Sequence, residues 1–213
     1  MVFDTRLARE LANDLLRIKA IKLQPNEAFI WTSGIKSPIY CDNRKTLSYP
    51  EIRNKISDGL MRLIRDLLPE TEAIAGVATA GIPQASILAD RLQLPLCYVR
   101  SKPKDHGLRN LIEGDIKPGS KVAVIEDLIS TGKSSLTAVD SLQEQGYKVI
   151  GLLSNFSYGI PVAENTIKSY GLKYYALSDY MTLIEVAIEN KMINNSEIES
   201  LRAWRTRPND WPG

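Results

Sequence analysis

Two adjacent acids, Glu126 and Asp127, are followed after a short turn by Gly132-Lys133-Ser134 in the segment IEDLISTGKSS. The Gly-Lys-Ser end invites comparison with a P-loop, which requires an earlier glycine where Asp127 stands. A carboxylate at that position would repel nucleotide phosphates. Carboxylates suit hydroxyl groups or a metal ion, whereas a Ser/Thr/Gly turn that opens a helix suits a phosphate. The segment therefore predicts a ligand that carries both hydroxyls and a phosphate.

The elements around these residues explain how they would meet. The apolar run KVAVIE predicts a buried strand over 121–126, and Leu128–Thr131 is expected to form a turn into a helix near Gly132. In open α/β sheets, ligands bind outside the carboxyl ends of the strands, where both acids would lie. The alternative to a ligand site is that the turn is an ordinary helix cap and the two acids are simply solvated. Hydroxyls that could donate there belong to Ser130, Thr131, Ser134 and Ser135.

Strands and helices alternate over most of the chain. Predicted strands cover 73–78, 96–100, 121–126, 148–156 and 173–178, with helical patterns between them. This alternation predicts an α/β fold with a parallel, doubly wound sheet flanked by helices. Before it, the apolar spacing of residues 7–18 predicts an amphipathic helix, and Ser48 and Glu51 have the spacing of a capping box.

Composition limits the class of protein. The 213 residues suit one domain, and a net charge of +2 gives no basic field for nucleic acid. Apolar runs are too short for a membrane span, so we expect a cytoplasmic protein with neither nucleic-acid nor membrane partners. Cys41 and Cys97 are expected to be reduced thiols rather than a disulfide.

The polar stretch SKPKDHGLRNLIEGDIKPG (101–119) interrupts the pattern. A structureless segment of this length in a compact domain is usually a functional loop or disordered, and a solvated surface loop is the plainer alternative. Arg100 directly precedes this stretch, and Lys102 and Lys104 lie at its start. Beside them is His106, the only histidine of the chain. We expect this loop to be mobile and to approach the acid-plus-phosphate site.

Four segments together resemble one family. VAVIEDLISTGKSS resembles the phosphoribosyl-pyrophosphate motif of type I phosphoribosyltransferases. YVRSKPKDHG resembles the catalytic loop of the orotate phosphoribosyltransferases, whose Lys-Asp-His-Gly core stands here at 104–107. SGIKSPIYCD resembles their N-terminal hood segment, and GVATAGIPQA resembles their pyrophosphate loop. The resemblance covers roughly residues 5–190 in matching order.

The resemblance implies transfer of a phosphoribosyl group from phosphoribosyl pyrophosphate to orotate in pyrimidine synthesis. It also implies roles for individual residues. Glu126 and Asp127 would hold the ribose hydroxyls, the following turn would cradle the 5-phosphate, and Ser130 would reach both phosphate and base. The predicted catalytic residues are Lys104, His106 and Asp127. The predicted substrate-binding residues are Tyr40, Ala80, Gly81, Arg100, Lys102, Lys104, His106, Glu126, Asp127, Leu128, Ile129, Ser130, Thr131, Gly132, Lys133 and Ser134.

Further expectations concern the metal and the assembly. Mg²⁺ would be held mainly by substrate phosphates, without a dedicated set of protein ligands. Within a single domain over 1–213, residues 1–45 would supply an N-terminal helix and the hood. The resemblance also implies a homodimer in which each subunit's catalytic loop serves its neighbour's site.

Some positions depart from one branch of the family. Thr32, Ala80 and Ser101 stand where that branch has lysine, and Lys133 replaces a small residue. Near Tyr158, an arginine that contacts orotate has no match. These departures imply fewer cations around the pyrophosphate, with more of the binding by backbone N–H groups and metal. Alternatives of the same fold are a purine-type phosphoribosyltransferase and a regulatory sensor of phosphoribosyl pyrophosphate.

Overall fold

A computed structural model describes residues 1–31, 34–101 and 111–212. The helices in these ranges are α1 (Thr5–Arg17), α2 (Pro50–Leu67), α3 (Gly81–Leu92), α4 (Lys133–Glu144), α5 (Pro161–Ser169), α6 (Tyr180–Glu189) and α7 (Ile198–Thr206). The strands are β1 (Ile21–Leu23), β2 (Phe29–Ile30), β3 (Lys36–Ser37), β4 (Ile39–Cys41), β5 (Ala73–Val77), β6 (Leu96–Val99), β7 (Ile112–Glu113), β8 (Lys121–Ile129), β9 (Lys148–Ser157) and β10 (Lys173–Asp179). Short 3-10 helices cover Asn43–Ser48, Asn195–Glu197 and Pro208–Asp210.

The central sheet has six strands in the order β10-β9-β8-β5-β6-β7. All neighbours are parallel except the edge strand β7, which runs antiparallel to β6. One face of the sheet packs on α1, α2, α3 and α6, and α4 with part of α5 packs on the other. Because both faces are covered, β5 is buried along its whole length, as its apolar sequence predicts. The predicted doubly wound α/β architecture is confirmed.

Two small antiparallel pairs lie outside this sheet. Strand β1 pairs with β4, and β2 pairs with β3. We call residues 21–31 and 34–41, which contain these pairs, the hood. Its position beside the carboxyl end of β8 brings it next to the segment that carries the acid pair.

Strand β8 is longer than predicted. It continues to Ile129, so Glu126 and Asp127 lie within the strand and the turn is reduced to 130–132. The reason is that β9 is one residue longer than β8, and its last residues pair with β8 as far as Ile129↔Ser157. The extension holds the acids on rigid ladder positions instead of in a loop.

Two other local predictions are changed by the structure. The capping box at Ser48 and Glu51 is wrong, because α2 begins at Pro50 after an N-cap Tyr49 that makes no side-chain capping bond. Within 111–119, Ile112 pairs with Val99 in the sheet, so this part of the predicted loop contains a strand. The two cysteines are free, as expected. None of the described helices is both long and apolar enough to cross a membrane.

Candidate active site

The acid pair is built into the end of β8. Glu126 is only 5% exposed. Its Oε2 accepts hydrogen bonds from the hydroxyls of Ser135 (3.1 Å) and Ser134 (3.3 Å) on α4. Its Oε1 accepts from the backbone N–H of Asp127 at 3.2 Å. Glu126 therefore ties the strand to the helix that follows, while Asp127 is half-buried and more accessible.

Burial also changes the acidity of the pair. Loss of solvation, with a further contribution from the charge of Asp127, raises the pKa of Glu126 to about 8. Burial raises the pKa of Asp127 as well, partly offset by hydrogen bonding with Glu126. The pair therefore retains a proton near neutral pH. A ligand that donates hydrogen bonds to the pair, or brings positive charge near it, will favour release of this proton.

A buried asparagine supports the acids from below. Asn43 is 3% exposed, and its Nδ2 donates to the backbone carbonyl of Asp127 at 2.7 Å. The hydroxyl of Thr46 donates to the carbonyl of Asn43 at 2.6 Å, which fixes the 3-10 helix that follows the hood. Because this contact joins positions 43 and 127 and belongs to no local motif, the sequence contains no signal for it.

The turn after β8 has the features expected of a phosphate cradle. Gly132 caps α4 with φ = +77°, a left-handed conformation that favours glycine. Thr131, Lys133 and Ser134 are exposed around it, with the first N–H groups of α4. Ile129 differs from its neighbours because its side chain is buried in the core, so only its backbone can meet a ligand.

The predicted pyrophosphate loop lies against the same strand. A Cβ at Gly81 would lie 2.5 Å from the carbonyl oxygen of Ile125, so only glycine permits this approach. Gly81 opens α3 and Ala80 is its N-cap residue. The Ala78–Thr79 peptide bond just before them is cis. The start of α3 and the acid pair are thus adjacent.

A cavity of about 270 Å³ separates the hood from the end of β8. We call it the aromatic cavity; it is lined by Ile30, Trp31, Tyr40, Cys41, Leu128, Ser130 and Tyr158. Trp31 and Tyr158 stack with ring centroids 5.2 Å apart and an interplanar angle of 17°. The structure therefore brings the predicted residues Tyr40, Leu128 and Ser130 together with an aromatic wall. The sequence reasoning missed Trp31 and did not find the place of Tyr158.

We call the turn 130–132, with the start of α4, the phosphate turn. A second cavity, of about 360 Å³, lies beside the start of α4. We call it the cationic cavity; it is lined by Val77, Ala78, Val99, Arg100, Ser101, Lys133, Ser134, Thr137 and Ala138. It brings together three predicted residues, Arg100, Lys133 and Ser134. Arg100 forms an ion pair with Glu113 of β7 at 3.4 Å, which holds its side chain at the edge of the sheet. The predicted residues Lys102, Lys104 and His106, and also Thr32, lie outside the described residues.

Comparison with known proteins agrees with this geometry. Residues 48–160 match the family model of the phosphoribosyl transferase domain. The orotate phosphoribosyltransferase of Cytophaga hutchinsonii is 53% identical over 203 residues, which is 95% of this chain and 97% of the relative. The enzyme of that name from Bacillus subtilis is 53% identical over 207 residues, 96% of each chain.

A solved structure shows the same fold. The crystal structure of orotate phosphoribosyltransferase from Aeropyrum pernix has a TM-score of 0.75 and 29% sequence identity, covering 86% of this chain and 99% of that one. Identity near one half over almost the full length, in a chain with this acid pair and turn, leaves one conclusion. The chain belongs to the orotate phosphoribosyltransferase family.

Proposed function

We propose that this enzyme transfers the phosphoribosyl group of 5-phospho-α-D-ribose 1-diphosphate to orotate, giving orotidine 5-monophosphate and pyrophosphate. One observation carries the proposal. The acid pair, with Glu126 buried and Asp127 half-buried, and the helix-opening turn lie directly beside an aromatic cavity at the end of β8. Acids, phosphate cradle and aromatic wall match the three parts of the reacting pair: ribose, phosphate and planar base.

The residues divide the work as follows. Asp127 and Glu126 bind the ribose hydroxyls and hold C1 in place. The N–H groups and hydroxyls from Ser130 to Ser134 bind the 5-phosphate at the start of α4. Orotate lies in the aromatic cavity, where Tyr40 and Ser130 contribute polar groups at opposite walls. Because both reactants are held in the correct orientation beside one strand end, their bimolecular reaction becomes effectively unimolecular.

Bond breaking at C1 leaves positive charge on the sugar and negative charge on the departing diphosphate. Arg100 and Lys133 lie where they could meet that diphosphate, in the cationic cavity. By family resemblance, Lys104 and His106 act with them, and Lys102 and the start of α3 at Ala80 and Gly81 add further contacts. Preorganised donors aimed at developing charge are usually the largest catalytic contribution, about 3 kcal/mol for one donor.

Mg²⁺ is the cofactor that we propose. Two carboxylates at one strand end fit its habit of taking one or two protein carboxylates and completing its shell with substrate phosphates and water. Bound with the diphosphate, it would supply positive charge to the leaving group. Asp127, the more accessible acid, is the residue of this chain best able to contact it.

We further propose a cytoplasmic homodimer in which the Lys-Asp-His-Gly segment at 104–107 of each subunit completes the neighbouring site. The proposal rests on the family resemblance of the Lys-Asp-His-Gly segment.

A turnover assay tests the function. We expect loss of orotate absorbance with phosphoribosyl pyrophosphate and Mg²⁺, and no transfer with adenine, hypoxanthine or guanine in place of orotate. Excess chelator should abolish the reaction, and added Mg²⁺ should restore it. Preference for a purine would reject the substrate, and full activity in chelator would reject the metal.

A further inference from the structure

The C-terminal segment, residues 198–212, packs against the hood. Trp204 of α7 is 0% exposed. Its indole Nε1 donates to the backbone carbonyl of Lys36 in β3 at 3.1 Å. The Lys36 ammonium in turn donates to the carbonyl of Pro212 at 2.8 Å. These bonds fix the C-terminal segment and the hood to each other.

Trp204 also contacts the wall of the aromatic cavity from behind. Its ring meets Trp31 edge-on, with centroids 5.7 Å apart and an interplanar angle of 85°. It meets Tyr158 in the same way, at 5.6 Å and 82°. Trp31 and Tyr158 both line the cavity, whereas Trp204 does not. The stacked rings of Trp31 and Tyr158 are therefore held in position by the ring of Trp204, which does not itself line the cavity.

Two further bonds fix the same group of rings. The hydroxyl of Tyr180, whose ring is 5.1 Å from that of Trp204, donates to the carbonyl of Leu201 at 3.2 Å. Arg205 donates through Nε to the carbonyl of Gly159 at 2.8 Å, directly after Tyr158. The C-terminal segment thus contacts the hood, which carries Trp31, and the residues after β9, which include Tyr158. It therefore sets the distance between these two parts of the cavity wall.

We propose that Trp204 is a positioning residue for the base. By fixing the rings of Trp31 and Tyr158, it gives the aromatic cavity a shape that admits a planar pyrimidine beside Ser130. The proposal rests on the function proposed above and adds that the base subsite is completed from the C-terminal segment. Edge-on aromatic contacts are specific in geometry, so loss of one should misplace its partners as well as weaken packing.

Steady-state kinetics of matched variants test the proposal. For Trp204→Leu we expect KM for orotate to rise about tenfold, the size of one or two lost aromatic contacts. KM for phosphoribosyl pyrophosphate should stay within about twofold, because Trp204 packs behind the aromatic wall and not against the acid pair or the phosphate turn. Trp204→Phe keeps a ring but loses the bond to Lys36, so a smaller rise of about threefold is expected.

Trp211 is the matched control. It is a buried tryptophan of the same segment, and its Nε1 donates to Ser200 Oγ at 3.0 Å. Trp211→Leu should leave KM for orotate within about twofold. If Trp204 has only a structural role, Trp204→Leu and Trp211→Leu should change KM for orotate equally, or Trp204→Leu should raise KM for orotate and for phosphoribosyl pyrophosphate together. Either result rejects the proposal.

The reactivity of a cysteine, measured without substrate, tests the positioning role of Trp204 independently of the proposed enzymatic function. Cys41 lines the aromatic cavity and is half-buried, whereas Cys97 is 1% exposed. A loosened wall should speed labelling of Cys41 by iodoacetamide about fivefold in Trp204→Leu but not in Trp211→Leu. Equal labelling rates in both would reject the positioning role whatever the enzyme turns over. If Trp204→Leu fails to fold, the same comparison between Trp204→Phe and Trp211→Phe decides. Absence of orotate turnover by the wild type would reject the function alone.

Discussion

At the scale of single residues, the two acids have different tasks. Glu126 has fewer acceptor positions left for a ligand, since Ser134, Ser135 and the N–H of Asp127 already donate to its oxygens. Asp127 keeps its carboxylate accessible while its backbone is held by Asn43. The sequence motif predicted the two acids as a pair at the end of a strand, and they lie together in β8. The motif could not separate these tasks, because they depend on burial and on a partner far away in the chain.

Asp127→Asn keeps the shape of the side chain and removes its charge. We expect kcat/KM for phosphoribosyl pyrophosphate to fall about 10- to 100-fold, the range for losing a charged hydrogen bond, with an unchanged circular-dichroism spectrum. The exposed Asp66→Asn on α2 is the control. An activity within about threefold of wild type, a change under ~1 kcal/mol, would mean that Asp127 is an ordinary turn acid.

The raised pKa of Glu126 predicts an inverted pH dependence of stability. Because its folded pKa, about 8, exceeds the ordinary value of 4.5, the native state holds more protons than the unfolded state between these values. The free energy of unfolding should therefore fall as pH rises from about 5 to 8, by up to ~1.4 kcal/mol per pH unit.

Glu126→Gln should remove that slope, because an amide does not titrate. Urea unfolding of the ligand-free protein at about pH 5.5 and about pH 7.5, both inside that window, measures the difference, with the exposed Glu144→Gln as control. Parallel pH profiles for wild type and Glu126→Gln would show that Glu126 is not the titrating group.

At the scale of elements, the sequence predicted the alternation of strands and helices but not where β8 ends. Apolar periodicity locates buried strands, yet the last residues of β8 are fixed by pairing with β9 as far as Ser157, which no local pattern encodes. The capping box failed for a similar reason. Ser48 had the correct spacing, but the 3-10 helix Asn43–Ser48 leads directly into α2.

The close contact between α3 and β8 at Gly81 allows a prediction about the position of α3. Gly81→Ala would place a methyl group 2.5 Å from the carbonyl of Ile125, so α3 must move away from the acid pair. We expect a loss of about 1–3 kcal/mol in the free energy of unfolding and a rise in KM for phosphoribosyl pyrophosphate. Thermal melts and steady-state kinetics measure the two effects.

Gly119→Ala is the control for the cost of replacing a glycine. Gly119 has φ = +78°, and among the described residues no atom lies within 4 Å of the place that a methyl group would take. Backbone strain alone should therefore lower stability while KM stays unchanged. If Gly81→Ala shifts KM no more than Gly119→Ala does, the close approach of α3 has no part in binding.

At the scale of the whole molecule, the chain brings together segments from both ends. Hood, β8 turn and C-terminal segment meet around the aromatic cavity, although Trp31, Ser130 and Trp204 are far apart in sequence. Motifs predicted the middle segment and the hood. They gave no role to the C-terminal tryptophans, because side-chain packing across so many residues leaves no periodic or compositional trace.

Exchange of the Lys-Asp-His-Gly segment at 104–107 between subunits can be tested by complementation. Lys104→Ala and Asp127→Asn should each retain no more than about a tenth of wild-type activity alone. After reversible unfolding and mixing, half of the dimers are hybrids, and each hybrid with exchanged segments has one intact site. About a quarter of wild-type activity should therefore return. No recovery, with subunit exchange confirmed by a mass tag, would show that each segment serves its own subunit.

The bonds from Trp204 and Pro212 to Lys36 also affect how the protein is made. The hood leaves the ribosome well before the residues that brace it. All strands from β5 to β10 also precede residue 204 in the chain, so each of them is synthesised before the residue that supports the aromatic wall. The stacked rings of Trp31 and Tyr158 thus gain their contact with Trp204 last, after every strand of the sheet and the turn before α4 have been synthesised.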